Sequence, residues 1–502
     1  MSLSVENNKR IFTFLRQQNC CLKCCLRFIG WKSWECFNDP VKFVKSLGYV
    51  EGDAAIIDET RCMACLGILQ DEMLELVAQK IQTEVEKQNY DSDTFLCALT
   101  VPTCVNLRER ALHTQCANGL DLTKDTLLSL KFKLQTIKDI WKLVITPKLE
   151  QVINKRIDLT PSAFLIEIIL SYDNNDEECR ALENFCGASC NKKRKGKREN
   201  NVNRFSRRCI ETLLSSTTDE KFNQFLMTFT FDTPTAICVN SVTCIHSSIF
   251  VGGRYTKLSR EISQTPWLIN GEKKMGTSVQ DILCKPIADA VTAESIKFLS
   301  SGREDVDVRN IYTGRPFAVE LINPHMTKIT EALLSDLVQK INQSSKEVQI
   351  TSNLKVLSRK DLRKLKEGEA VKTKIYRALC VCRAKPEDML PLEKLNDLKK
   401  VKIIQKTPIR VLHRRPLSPR TRLIYEMRAR WVKPQEIQTL LTTVSEDANM
   451  FFVLDIKTQA GTYVKEFVHG DFGRTKPSLC EILKTEVDIV ALDVTGINLN
   501  WP

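Results

Sequence analysis

In residues 66–90, LGILQDEMLELVAQKIQTEVEKQNY, apolar side chains recur at Leu66, Leu69, Met73, Leu76, Val77, Ile81 and Val85. That spacing predicts a long amphipathic helix whose apolar stripe packs against its own domain. Residues 127–141, 208–214 and 325–343 read as further helices. Residues 95–105 and 163–172 read as strands, as does the apolar run that leads from residue 247 into Gly252 and Gly253. Residues 371–382, VKTKIYRALCVC, read as a buried strand with Cys380 and Cys382 on its core side. From residue 451 the chain alternates through Leu454 and Ile456, then runs into QAGTYVKEF. One stretch stands apart: residues 301–317, SGREDVDVRNIYTGRPF. From Asp305 it alternates, with Val306 and Val308 on one face and Asp305, Asp307 and Arg309 on the other, which predicts a strand. Gly302 would let the chain turn sharply into it.

The length, 502 residues, is enough for two or three domains with proper cores. Lysine and arginine number 74 and the acids 61, a net charge of +13 that fits an anionic partner such as RNA. The charge concentrates at residues 402–433, KIIQKTPIRVLHRRPLSPRTRLIYEMRARWVK. There Lys406, Arg410, Arg414, Arg415, Arg420, Arg422, Arg428 and Arg430 face one acid, Glu426, and Pro408, Pro416 and Pro419 keep parts of the segment out of regular helix. Such a stretch suits a bent RNA backbone, against the plainer reading of a solvated basic face. A second cluster, Arg254, Tyr255, Lys257 and Arg260, follows the paired glycines and suits phosphate and base contacts, or else is a hairpin with a basic tip. Residues 173–178, DNNDEE, and 192–198, KKRKGKR, predict a mobile loop. The basic run reads equally as a nuclear-import signal, an RNA-contacting loop or a solvated surface.

The amino-terminal stretch has no apolar core or cleavage site of a secretory signal, and apolar windows such as residues 164–170 are broken by Glu167. An intracellular chain, in the nucleus and/or cytoplasm and away from membranes, is expected. In a reducing compartment its 20 cysteines are free for burial or metal binding. Cys20, Cys21, Cys24 and Cys25 precede Cys62 and Cys65, so two C-x2-C pairs can give four thiolates to one tetrahedral, structural Zn²⁺. Merely buried thiols are the alternative. Cys179, Cys186 and Cys190 lack a convincing fourth ligand.

From residue types alone, 301–317 is also an exposed strand with ion pairs. Its Gly302-Arg303-Glu304-Asp305, however, resembles the Gly-Arg-x-Asp motif of pseudouridine synthases. The longer GREDVDVR…GRPF resembles the archaeal and eukaryotic family that isomerises T-arm uridines of tRNA, pseudouridine synthase ten. FVGGRY…QTPW, KTKIYRAL and GTYVK, in order, resemble the same family, with Cys480 standing where a glycine is expected. The resemblance implies Asp305 as the catalytic carboxylate, kept ionised by Arg303, Arg309 and the paired Lys465. It implies Tyr376 stacking on the flipped base, Tyr463 lining the pocket and Arg303 filling the space the base vacates. Attack on the nucleoside and abstraction of a ribose proton are both open to Asp305. RNA contacts are expected from Arg254, Tyr255, Lys257, Arg315, Arg410, His413, Arg414 and Arg415.

Cys24-Cys25-Leu26-Arg27-Phe28 resembles the family's Cys-x-Leu-Arg-Phe, which selects Cys21 and Cys24, with Cys62 and Cys65, as zinc ligands. The implied fold is α/β (α+β): a catalytic domain at 241–502 on a mixed, mainly antiparallel sheet, a THUMP-containing accessory domain at 91–240, and a zinc-binding subdomain with a long helix at 1–90. The implied enzyme is a monomer acting on tRNA with no catalytic cofactor. The rival from another class is a non-catalytic, zinc-containing RNA-binding or regulatory protein.

Overall fold

The computed structural model describes residues 5–50, 58, 60–120, 134–158, 162–187, 205–383, 391–432 and 450–502, without the side chains of 367–371 and 414. The basic run 192–198, Cys190, the first half of the expected helix 127–141, and Lys433 lie outside the described residues. The chain divides into two compact units, Met1–His246 and Ser247–Pro502.

In the first unit the long helix spans Asp71–Gln88 and buries Met73, Leu74, Val77, Ala78, Ile81 and Val85. Burying a large aliphatic side chain of this kind contributes roughly 1.5–3 kcal/mol. The helix starts later than its apolar spacing implies. Leu66 is buried but sits at φ 57 in the turns that carry Cys62 and Cys65, and Leu76 is 39% exposed. The strands are β1 (Thr94–Thr100), β2 (Arg156–Ile157), β3 (Phe164–Ser171) and β4 (Cys238–His246). They lie in the order β2-β1-β3-β4, with β1 parallel to β2 and β3, and β4 antiparallel to β3. The expected strand 95–105 stops early: helix Cys104–Gly119 takes over, with Val105 buried inside it. Residues 173–178, expected as loop, instead open helix Asn175–Cys186, where Asp176, Glu177 and Glu178 fill the first turn and oppose the helix dipole's positive end.

The second unit is built on β5 (Ile249–Lys257), β6 (Leu268–Ile269), β7 (Glu272–Lys273), β8 (Ala293–Ser300), β9 (Arg309–Pro324), β10 (Val348–Ile350), β11 (Lys355–Leu357), β12 (Thr373–Cys382), β13 (Lys399–Gln405), β14 (Arg420–Trp431), β15 (Met450–Gln459), β16 (Thr475–Lys476) and β17 (Val487–Asn498). Eleven of these form one sheet, ordered β10-β5-β9-β17-β12-β15-β14-β13-β16, with β11 beside β5 and β8 beside β9. Every pairing is antiparallel except β17 on β9, which meets only at Asp493 with Arg309 and Val494 with Asn310. The sheet therefore has a narrow seam between two broad halves, and separate cores pack on the two sides of it.

Three arginines reinforce the seam. Arg309 and Arg260 both pair with Asp493 at 2.6 Å. Arg254 donates from Nε to the Thr313 carbonyl, and from its two Nη atoms to those of Gly314, Ile497, Leu499 and Trp501. β12 alternates as its sequence implies, burying Lys374, Tyr376, Ala378, Cys380 and Cys382 on one face.

Candidate active site

The cavity at the seam has a volume of about 1020 Å³ and is lined by Gly302, Arg303, Asp305, Arg315, Lys374, Tyr376, Arg410, Tyr463, Lys465 and Val494 among others. Residues 303–308 form a loop with a turn at Val306 and Asp307, closed by the Val308 amide donating to the Asp305 carbonyl at 3.2 Å. The expected strand begins only at Arg309. Gly302, at φ +90, makes the turn into the loop, a backbone conformation that side-chain-bearing residues rarely adopt.

A buried network holds this loop from behind. Glu304, 6% exposed, pairs with Arg315 at 2.6 Å and accepts from the Tyr255 hydroxyl at 2.9 Å. Gln264 Nε2 donates to the Gly302 carbonyl at 3.1 Å. Lys257, fully buried, donates from Nζ to the carbonyls of Asp305 and Val306 at 3.3 and 2.6 Å, and to that of Ile262 at 3.1 Å. Burial pushes the Lys257 ammonium down to about 8, against the pull of Glu304 and Asp307. Burial likewise pushes the Tyr255 hydroxyl well above its ordinary range, with Glu304 adding to it.

Asp305 faces the cavity. Its Oδ2 lies 2.8 Å from Arg410 Nη1 and 3.9 Å from Lys465 Nζ. Arg410 is itself gripped at Nε by Glu466, 2.6 Å away with its side chain 3% exposed. Burial works against the charge on Arg410, but Glu466 and then Asp305 outweigh it and hold the guanidinium above its usual range. Lys465 sits closer to Asp307, at 2.5 Å. Burial opposes ionisation of Asp307, and the hydrogen bond and charge of Lys465 overcome it, leaving that carboxyl below its ordinary value. Tyr376, 8% exposed, adjoins Arg315, and burial pushes its hydroxyl up to about 12, so it stays neutral at physiological pH. Tyr463 is fixed through its backbone, its amide donating to Gln405 Oε1 and its carbonyl accepting from Gln405 Nε2, both at 2.9 Å.

The structure thus brings Asp305, Tyr376, Tyr463, Lys465 and Arg303 to one cavity, and redistributes the other assignments. Arg309 does not flank Asp305; it is spent on Asp493 at the seam. Arg254, Tyr255, Lys257 and Arg315 do not present an RNA-facing surface. Arg254 is bonded to five carbonyls, and the other three are fully buried in the support of the loop. Their basic and aromatic character misled because buried networks use the same residue types. Arg410 becomes the charge partner of Asp305. His413 and Arg415 lie at the cavity's exposed side, on or just after the short 3-10 helix Ile409–Arg414, and the Arg414 side chain is outside the described residues. Glu304, Gln264, Glu466 and Gln405 were missed. The first two lie inside the GREDVDVR and QTPW strings, and Glu466 directly follows Lys465, so position was the available signal.

In the first unit, the sulfurs of Cys21, Cys24, Cys62 and Cys65 all lie within 4.8 Å of one another, and all four residues are buried. Cys21 caps helix Leu22–Ile29, Cys24 is in its first turn, and Cys62 and Cys65 lie in the turns before Asp71. The Cys21 amide donates to Cys62 Sγ at 3.2 Å and Arg27 Nε to Cys24 Sγ at 3.4 Å, contacts that suit thiolate ligands. An all-sulfur, closed, buried set of four fits a structural metal ion. Cys20 and Cys25 are buried outside the set.

Two family models match the chain: "Pus10, C-terminal" over residues 250–498 and "Eukaryotic Pus10, N-terminal" over residues 62–244. The chain is 36% identical to the human tRNA pseudouridine synthase Pus10 over 444 residues, covering 88% of this chain and 79% of that one. It is 33% identical to the mouse protein of the same name, covering 99% of this chain and 98% of that one. With the Thermofilum pendens protein, also named tRNA pseudouridine synthase Pus10, it shares 38% identity over 50% of this chain and 52% of that one. Relatedness at this level over nearly the whole length, added to a cavity organised around Asp305, shows that the chain belongs to the Pus10 family of pseudouridine synthases.

Proposed function

We propose that this protein isomerises uridine to pseudouridine in the T-arm of tRNA, at position 54 and/or 55, with Asp305 as the catalytic carboxylate. The observation that carries this reading is the cavity itself. One carboxylate opens into a space walled by cations and by the neutral ring of Tyr376, against Arg410 at 2.8 Å. Cations suit a polyanion, and an aromatic face suits an unstacked base. The uridine is flipped out of its loop at a cost of a few kcal/mol. The C1′–N1 bond breaks with the help of Asp305, the uracil turns, and C5 bonds to C1′. The C5 proton leaves while N1 regains one, so no atom is gained or lost and no cofactor is consumed. Arg410 and Lys465 face the charge on Asp305, and the loop bonds from Lys257 and Gln264 keep the carboxylate aimed at the sugar.

Cys21, Cys24, Cys62 and Cys65 would hold Zn²⁺, a structural ion that ties helix Leu22–Ile29 to the turns before Asp71. The first unit would act as the THUMP-containing, RNA-binding accessory domain, and the protein as a monomer in the nucleus and/or cytoplasm. Mass-spectrometric mapping of pseudouridine in an unmodified tRNA transcript incubated with the pure protein tests the reading. Pseudouridine in the T-arm is expected. Tight tRNA binding without any pseudouridine would favour a non-catalytic RNA-binding protein instead.

A further inference from the structure

We propose that Lys374, backed by Lys372 and Arg315, is the binding site for one phosphodiester group adjoining the target nucleotide, an assignment that rests on the RNA-modifying reading above. A Cβ built on Gly302 would lie 3.1 Å from Arg315 Nη1, 3.1 Å from Lys374 Nζ and 3.6 Å from Lys372 Nζ. Three cationic nitrogens therefore converge over a backbone position that glycine leaves open. All three residues are at least nine-tenths buried, yet all three line the cavity that holds Asp305. Removing an ammonium from water is costly, so a buried group of cations facing a cavity fits an anionic ligand.

The three differ in what else they do. Arg315 pairs with Glu304 and donates from Nη1 to the Ser301 carbonyl at 2.9 Å; Lys372 donates to Ser301 Oγ at 2.6 Å. Both therefore brace the turn before Asp305. Lys374 is placed differently: it shares the buried face of β12 with Tyr376, two residues on. Two residues along a strand span about 6.6 Å. With the flipped base against Tyr376 and its sugar over Asp305, that spacing puts an adjoining phosphate at Lys374. A lysine ammonium, a compact point charge, suits a single phosphate oxygen. The cluster would thus fix the nucleotide by its backbone, independently of its base.

The test uses the full-length protein and tRNA in which the phosphate on the 5′ or the 3′ side of the target uridine is replaced by an uncharged methylphosphonate. Affinity and kcat/KM are measured for wild type, Lys374→Gln and Lys374→Arg, each first shown to melt cooperatively. For wild type, one of the two methylphosphonates should weaken binding about tenfold, the effect of one charged hydrogen bond. Lys374→Gln should bind ordinary RNA about tenfold more weakly and be indifferent to that methylphosphonate, and Lys374→Arg should restore both the affinity and the sensitivity. If wild type tolerates both replacements, or if wild type and Lys374→Gln lose the same factor, the site is not there. Because the coupling is read in affinity, it stands or falls apart from product formation, whose absence on ordinary RNA would sink the enzymatic reading.

Discussion

Arg410 Nη1 stands 2.8 Å from Asp305 Oδ2, while Lys465 Nζ stands 3.9 Å from that oxygen and 2.5 Å from Asp307. Two carboxylates and two cations thus form a chain at the cavity wall, anchored by the buried Glu466. The order of the chain separates Asp305 from its neighbour. Asp307, with 62% of its side chain exposed, holds Lys465 at the rim. An exposed pair of that kind is worth roughly 0–1 kcal/mol.

Asp305→Asn should abolish pseudouridine formation and leave tRNA affinity intact, since binding rests on other cations. Asp307→Asn should keep activity within about fivefold of wild type, the rate equivalent of a rim ion pair. Single-turnover assays with saturating enzyme decide between the two. Product from Asp305→Asn would remove the catalytic assignment.

Arg410→Met should lower the single-turnover rate by about 10²–10³, the usual loss on deleting one preorganised charge beside a reacting group. It also leaves the Glu466 carboxylate without its guanidinium, so the melting temperature should fall. Arg410→Lys should recover only part, because an ammonium cannot serve Asp305 and Glu466 through the two ends of a planar fork. A wild-type rate in Arg410→Met would mean that Lys465 alone serves Asp305.

Most of the strands and the cavity residues were legible in the sequence because they depend on short-range signals. The period-two alternation of β12 is enough to put Lys374 and Tyr376 on one face. The pairing of the two cysteine couples follows from spacing alone. What the sequence hid was which arginine meets which acid. Arg309 looks like a partner for Asp305 four residues away, but the β9–β17 seam turns it to Asp493, 184 residues on. Asp305 instead receives Arg410, 105 residues away. Such partners are chosen by tertiary pairing, to which local charge pattern is blind. The alternation from Asp305 to Arg309 failed for a related reason. Tyr255, Lys257 and Gln264 capture the loop's backbone and side chains, and strand pairing starts only after it.

Lys257 offers a test of that capture. Its ammonium is held down to about 8 by burial, below the ordinary 10.5 of the unfolded chain. Between those values the unfolded chain binds a proton that the folded chain lacks, so this group's contribution to stability rises as pH rises from about 8 towards 10.5. The melting temperature of wild type relative to Lys257→Met should therefore climb across that window. A flat difference would mean that the ammonium is not buried. In catalysis, Lys257→Met should lower kcat more than it raises KM, because it loosens the Asp305 loop without touching the cationic wall.

Purified protein should carry one equivalent of zinc by elemental analysis, and Cys62→Ser should lose it, while Cys25→Ser, outside the four-sulfur set, should keep it. Structural zinc in small peptides contributes on the order of 10–16 kcal/mol of apparent binding energy, so Cys62→Ser should markedly lower the melting temperature of the first unit. Acidification should release the ion, since the ligands bind it as thiolates. Zinc-free protein with a normal melting profile would reduce the cluster to four buried thiols.

The last prediction concerns the outer wall. Arg415 and Arg420 line the cavity beyond Arg410, where the chain passes from the 3-10 helix into β14. Arg415 is exposed and Arg420 half-buried, so their charges reach solvent, unlike the fully buried Lys257 and Arg315. Each phosphate they neutralise releases condensed counterions, which makes affinity fall with salt. Arg415→Ala with Arg420→Ala should therefore weaken tRNA binding at low salt and flatten the plot of log affinity against log salt by about 0.7–0.9 per lost phosphate contact. The single-turnover rate at saturating enzyme should change little, because neither side chain is bonded to the Asp305 loop in the contacts that hold it. A solvated basic face that never meets RNA would leave the slope as it is. Titrations of wild type and the double variant across a salt series separate the two outcomes, and an unchanged slope would move the tRNA-gripping surface away from this wall.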